Sequence, residues 1–479
     1  MTNSSEWILD PDRVLPADPV LRPLAREIFG QVAQLPIVSM HGHVDVQVFL
    51  DNEPFANPAE LLIIPDHYLV RMLVSQGYSH AQMGVPAKDG SVVETDPRLI
   101  WKRFCRNWKL FRGTPTRLWL EHELAVVFGA SIRPSEQNAD ELYDFLQDAL
   151  QTEAFRPRAI LDRFNVEILA TTDSAVSDLA AHRKLQDQTG GGNIVPTFRP
   201  DSLLHVNNSQ WAREIAQLSG VSGIEVGDYG SFLAALRQRR GDFIAAGARA
   251  TDHGHLSADT TPLAPAEAQR IFAAALKGLV SDQEAAAFSA NMLFEMARMS
   301  TEDGLVMQLH PGVLRNHSGT VQRLHGPDTG FDIPVRVEFT RALRPMLESF
   351  GNSKDFRFIA FTTDETVYSR ELAPLAGAYP AMKLGAPWWF LDSPEQMRRF
   401  RESTVETAGF YNTSGFVDDT RALASIPARH DVSRRVDAGY LARLVAEGRL
   451  GLDEAVETAI DLSYNLPLQS YAHRQEQKP

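Results

Sequence analysis

The chain has one cysteine, Cys105, in 479 residues. An internal disulfide and a thiolate metal cluster are therefore excluded, and a reducing compartment is expected. No apolar stretch approaches the ~20 residues that a membrane helix needs. Positive charge is in deficit: 47 Lys and Arg stand against 61 Asp and Glu, a formal net charge of −14. That balance argues against nucleic acid as the main partner, because phosphate binding needs a basic face. Residues Met1 to Glu6 carry no basic run ahead of an apolar one. No secretory signal is expected, and the reading is cytoplasmic. There is no Walker-type glycine loop, no Gly-x-Gly-x-x-Gly after a strand and no Gly-x-Ser-x-Gly elbow. Phosphate-loop, dinucleotide and serine-hydrolase readings thereby lose their signatures.

What is there is ordinary globular sequence. Hydrophobic residues make up 44% and charged residues 23%, which disfavours disorder and coiled coil. Eight short apolar runs each lead into polar residues. They are Leu35–Met40 before His41, Val166–Ala170 before Thr171, Ile194–Phe198 before Arg199 and Ala246–Ala250 before Thr251. The others are Gly304–Leu309 before His310, Phe356–Phe361 before Thr362, Ala381–Leu384 before Trp388-Trp389, and Ser414–Val417 before Asp418. Helical patterns lie between them, as in Glu141–Leu150. Such alternation predicts an α/β fold, a distorted (β/α)₈ TIM-like barrel with a helical insertion after the first strand. The division expected is 1–44 for the N-terminal segment and first strand, 45–160 for the insertion, and 161–479 for the rest of the barrel. That last part includes a further helical insertion near 255–303 and C-terminal helices.

A barrel of this kind keeps its chemistry at the C-terminal ends of its strands. His41-Gly-His43 stands at the first such end. Alternate residues there point to one side, so both imidazoles can reach one cation, and Gly42 permits close approach. His310 ends the fifth run. Asp419 and Arg421 close the last; two apart on a strand they would share a face, and the Arg would hold the Asp ionised. Arg199 offers a bidentate clamp for a carboxylate, with pairing to Asp201 as the structural alternative. Tyr68, after Asp66-His67, can move a proton if a nearby cation lowers its pKa. Asp252-His253 can supply a carboxylate or an imidazole, and Trp388-Trp389 reads as packing.

Taken in order, these residues resemble the amidohydrolase superfamily, and more closely its uronate (glucuronate) isomerases. The resemblance rests on His41-Gly-His43, Asp66-His67-Tyr68, Thr171-Thr-Asp173, Pro196-Thr-Phe-Arg-Pro-Asp201, Asp252-His-Gly254 and Gln308-Leu-His310 with Arg315-Asn316. It continues through Gly326-Pro-Asp-Thr-Gly-Phe331, Trp388-Trp-Phe390, Asp419-Thr-Arg421 and Arg429-His430 with Arg434-Arg435. Three departures mark a divergent branch. Thr420 replaces a usual Ser, Pro311 replaces an aliphatic residue, and Arg429–Arg435 has lost its aromatic centre.

The resemblance implies interconversion of D-glucuronate with D-fructuronate, and of D-galacturonate with D-tagaturonate, in hexuronate catabolism. It implies one divalent ion, Zn²⁺, on His41, His43 and Asp419, because the sixth strand ends in Asp364 and no Lys follows the fourth. Asp419 with Arg421 would supply the base and Tyr68 the hydroxyl-proton shuttle. Arg199 would grip the uronate carboxylate, while His67, Asp252 and His310 orient sugar hydroxyls. The implied partner is a small hexuronate, with no nucleic acid and no membrane; the helical insertion offers surface for a homo-oligomer. A mononuclear amide or lactone hydrolase on the same barrel and a non-catalytic sugar-acid-binding protein are the competing readings.

Overall fold

The computed structural model describes residues 7–190 and 193–472. The N-terminal reading on Met1–Glu6 lies outside them. Eleven strands are present among the described residues: β1 Ile37–Ser39, β2 Val166–Ala170, β3 Asp173–Ser174, β4 Ile194–Val195, β5 Phe198–Arg199 and β6 Ala250–His253. They continue with β7 Val306–Leu309, β8 Val313–Leu314, β9 Ile333–Pro334, β10 Phe358–Ala360 and β11 Met382–Leu384. Apart from the small antiparallel β8–β9 pair, every pairing is parallel.

The parallel strands run in one order around a closed barrel. One sheet reads β1-β2-β4 and the other β11-β10-β7-β6-β5-β3. The two meet because β2 and β3, and likewise β4 and β5, are halves of single staves. Between the halves the ladder continues: Thr171 N–H donates to Val195 O at 2.9 Å and Asp173 N–H to Thr197 O at 3.0 Å. Pro196 sits at the break in the second of these staves; having no N–H, it cannot complete a ladder.

The last gap is closed by irregular chain. The expectation of a regular strand at Ser414–Val417 is not met, and Gly415 there has φ +81°. This stretch still bridges its neighbours. Ser414 N–H donates to Leu384 O at 2.9 Å, Asp419 N–H to His41 O at 3.1 Å, and His43 N–H to Thr420 O at 2.9 Å. The fourth stave also differs from the apolar run. The strand is Ala250–His253, and 246–249 form the turn after the helix Tyr229–Ala245, with Gly247 at φ +92°.

Alternation along the staves sorts the core. Val38, Met40, Ile168, Ala170, Val306, Ile359 and Val417 form one buried cluster, into which Tyr471 projects. The intervening residues, such as Met307, Leu309, Phe358, Ala360 and Met382, pack outward against the helices.

Between β1 and β2, every assigned element from Val46–Asp51 to Pro157–Arg163 is helical. The aromatic group Trp101, Phe104, Trp108 and Phe111 is buried there. The helices Pro265–Ala275 and Asp282–Asp303 lie between β6 and β7. No helix of the described residues is long and apolar enough to cross a membrane.

The helix Ile426–Ala446 ties distant parts together. Arg434 donates to the carbonyls of Ala33, Leu35 and Pro36, the lead-in to β1. Arg429, fully buried, donates to Asp392 at 2.7 Å and to Asp418 O at 3.1 Å, and its guanidinium lies 3.7 Å from the Trp119 ring centre.

Candidate active site

The C-terminal ends of the staves open into a cleft of about 300 Å³. His43, His67, Tyr68, Arg199, His310, Asp419 and Arg421 all line it. His41 lies buried beneath, 2% exposed, and Asp252 is wholly enclosed. The nine residues selected from sequence therefore converge on one place.

His41, His43 and Asp419 each offer a ligand atom within 4.8 Å of the others. His43 Nε2 lies 3.0 Å and His41 Nε2 3.6 Å from Asp419 Oδ1. A Cβ on Gly42 would stand 3.3 Å from Ala170 O, so a larger residue there would crowd that backbone by a few tenths of an ångström. Both His41 nitrogens are buried without a hydrogen-bond partner. Uncompensated buried nitrogens are costly, and two imidazoles beside a carboxylate form a donor set that suits a divalent cation. The residues fit a metal ion.

Burial alone would raise the Asp419 carboxyl. His43 against it, with His41 and Arg429 nearby, outweighs burial and holds it at about 2. These, rather than Arg421, are the main charges acting on it. The Arg421 guanidinium pairs with Asp328 at 2.8 Å. Both residues line the cleft, but the group that chiefly keeps Asp419 ionised is His43 and not the expected Arg421. Asp419 has φ +43°, so strand alternation does not run through it.

Tyr68 also departs from expectation. Burial pushes its phenol well above the usual range, against the Arg429 guanidinium that favours ionisation. Its hydroxyl has no protein partner. Tyr68 therefore keeps its proton, and what it offers a ligand is a donor. His67 stacks on it with ring centres 4.5 Å apart; burial and Arg421 push this imidazole down to about 3, leaving it neutral. Asp66 caps their helix, accepting from the Tyr68 N–H at 2.8 Å.

Across the cleft, Asp252 Oδ1 lies 2.7 Å from His310 Nε2 and 3.9 Å from His41 Nδ1. Burial would raise the Asp252 carboxyl, but His310, His41 and Arg199 pull it well below its ordinary value. Arg199 makes the pairing with Asp201, at 2.9 Å, and its Nη1 stands 3.4 Å from Asp252 Oδ2. Two edges of the guanidinium already face carboxylates, so a substrate would meet the remainder. Trp388 packs its ring 4.7 Å from His310 and 5.5 Å from His41, and it also lines the cleft with Trp389.

Residue-by-residue reading missed several lining groups. Arg315 and Asp328 come from the β8–β9 region, where Asp328 pairs with Arg421 and approaches Arg315 at 3.9 Å. Arg429 enters from the helix Ile426–Ala446 and forms a buried pair with Asp392. The available signal was the clustering of Arg315-Asn316 and Gly326–Phe331 between two staves, too long a stretch for a plain crossover.

Comparison with known proteins gives the family. The family model described as glucuronate isomerase matches residues 20–471. A uronate isomerase of Xanthomonas campestris pv. campestris strain B100 is 52% identical over 97% of this chain and 98% of its own. One from Rhizobium meliloti is 51% identical over 97% and 99%. The crystal structure of glucuronate isomerase from Caulobacter crescentus superposes with TM-score 0.95 at 49% identity, covering 98% of each chain. That of uronate isomerase from Thermotoga maritima gives 0.89 at 28% identity, covering 97% of this chain and all of the other. The chain belongs to the glucuronate isomerase family and is an α/β-barrel isomerase.

Proposed function

We propose that the protein is a uronate isomerase that interconverts D-glucuronate with D-fructuronate and D-galacturonate with D-tagaturonate. The observation that carries the reading is one small cleft holding an ionised carboxylate, a protonated phenol and several guanidinium groups. They lie beside a cation-binding triad, in a chain of this family. The reaction needs a base near C2, a proton donor at the oxygens and cations for developing negative charge.

In this reading Asp419 takes the proton from carbon. It is ionised at neutral pH and sits at the cleft wall. Tyr68 holds a proton at its hydroxyl and donates it to a sugar oxygen. Arg199 meets the substrate carboxylate with the donors that Asp201 and Asp252 leave open. His310 and Asp252 orient a hydroxyl, and neutral His67 accepts or donates without adding charge. Arg421, fixed by Asp328, places a cation beside the reacting oxygens. His41, His43 and Asp419 would hold Zn²⁺, which nitrogen-plus-carboxylate ligation suits. That ion would supply Lewis-acid polarisation of a substrate oxygen. The helix His67–Val74 of the segment between β1 and β2 brings His67 and Tyr68 to the cleft, and the remaining helices of that segment offer the surface for a homo-oligomer.

The test is a coupled assay for ketose formation with purified protein. Conversion of glucuronate or galacturonate is expected. Turnover of neither, with cleavage of a lactone or amide instead, would replace the isomerase by a hydrolase.

A further inference from the structure

The chain contains a second His-Gly-His, His253-Gly-His255, at the end of β6. It faces away from the cleft. Asp252 turns inward to His310, while Thr251 and His253 lie together on the other side, Thr251 Oγ1 being 3.0 Å from His253 Nε2. With Asp201, the two histidines offer ligand atoms all within 4.8 Å of one another.

This cluster has three features of a metal centre. First, its open nitrogens are buried. His253 Nδ1 and His255 Nε2 have no hydrogen-bond partner, in side chains 0% and 3% exposed. Second, each imidazole has its other nitrogen fixed. His253 Nε2 is held by Thr251, and His255 Nδ1 by Ser289 Oγ at 2.7 Å. Metal-bound histidines are oriented in this way, with the far nitrogen tied to a neighbouring group. Third, the carboxylate is positioned from behind. Asp201 Oδ2 accepts from Arg199 Nε at 2.9 Å and from Gly254 N–H at 3.0 Å, while Oδ1 lies 3.9 Å from His255 Nε2. A Cβ on Gly254 would fall 3.0 Å from Asp201 Oδ2 and 2.7 Å from His310 Cε1. Glycine there, as at position 42, lets backbone pass between crowded polar groups. His205, its ring 5.2 Å from that of His255 and only half-buried, stands at the approach from solvent.

We propose that Asp201, His253 and His255 form a second divalent-cation site, distinct from that of His41, His43 and Asp419, and that it takes Zn²⁺. Two imidazoles and one carboxylate match the ligand chemistry of Zn²⁺, with a fourth position left for water or His205. Bound there, the ion fixes Asp201 and, through it, the guanidinium of Arg199.

The test counts metal and does not depend on turnover, so it stands apart from the isomerase assignment. The full chain and its variants are equilibrated with Zn²⁺ after chelation, and the metal per chain is measured. An equivalent that survives His41→Ala and is lost in His255→Gln is the expected result. Ser289→Ala should weaken that same equivalent about tenfold, because it frees the far nitrogen of His255. If no equivalent behaves so, the site holds a buried water and the proposal falls. Should His255→Gln fail to fold, an anomalous difference map of Zn²⁺-soaked His41→Ala crystals decides. A peak among Asp201, His253 and His255 supports the site, and its absence overturns it.

Discussion

Arg421 closes on Asp328 at 2.8 Å and leaves Asp419, two residues earlier, to His43 at 3.0 Å. The base and the cleft cation thus have separate partners. Asp328→Asn should release Arg421 while Asp419 stays ionised. The Arg421–Asp328 pair is more than a third exposed, so the expected loss is at the low end for charge-assisted contacts, about tenfold in kcat/KM. Metal content should not change. A loss of bound metal in this variant would contradict the separation.

Tyr68→Phe removes a hydroxyl with no partner in the protein. The ring contacts with His67 and Trp119 remain. Thermal stability should be unchanged, while kcat falls about 10²- to 10⁴-fold, the range for general acid–base groups. Wild-type kcat in this variant would remove Tyr68 from the proton path.

A plain carboxylate clamp at Arg199 would make Arg199→Met weaken uronate binding with little effect on stability. The structure alters that expectation. The substitution removes the guanidinium from between Asp201 and the completely buried Asp252, leaving Asp252 to His310 and Asp201 to the Gly254 N–H. Breaking such a pair costs about 3–5 kcal/mol, so Tm should drop together with a ten- to hundred-fold rise in KM. Arg199→Lys should restore much of Tm but less of KM, since Lys lacks the planar fork. Equal recovery of both would mean that Arg199 is purely structural.

Glu123 is 4% exposed, and burial, reinforced by Asp66, pushes its carboxyl up to about 8. The unfolded value is about 4.3. Between these limits the folded state binds the extra proton, so stability falls as pH rises from about 4.3 through 8. The size is on the order of a few kcal/mol. Glu123→Gln should flatten this slope, most visibly as a higher Tm at pH 8 to 9. An unchanged pH–Tm profile would show that Glu123 is ionised in the fold.

The barrel was legible because its staves are short apolar runs with polar ends, and His41-Gly-His43 because its spacing is local. Arg421 was misassigned because the left-handed Asp419 breaks the alternation on which the inference depended. The Arg315 and Asp328 contributions depend on β8 pairing with β9 across about 20 residues, a contact no local pattern encodes. Tyr68 was misjudged in sign: a nearby Arg429 is visible only in three dimensions, and burial outweighs it there. His253-Gly-His255 repeats the first motif, yet Asp201, which completes its cluster, comes from the helix start just after β5.

The grip of Arg434 on the carbonyls of Ala33, Leu35 and Pro36 spans some 400 positions, 401 in the longest case. A ribosome makes the helix that holds the lead-in to β1 some 400 residues after the lead-in itself. The strand itself can pair with β2 much earlier, but the carbonyls leading into it wait for Arg434, and Asp418 and Asp419, which complete the site, arrive at the same late moment. Loop closure over such separations is slow. Assembly of the isomerase is accordingly completed only when this helix is made, and nascent chains halted before residue 426 should be open to proteases in the segment ahead of β1.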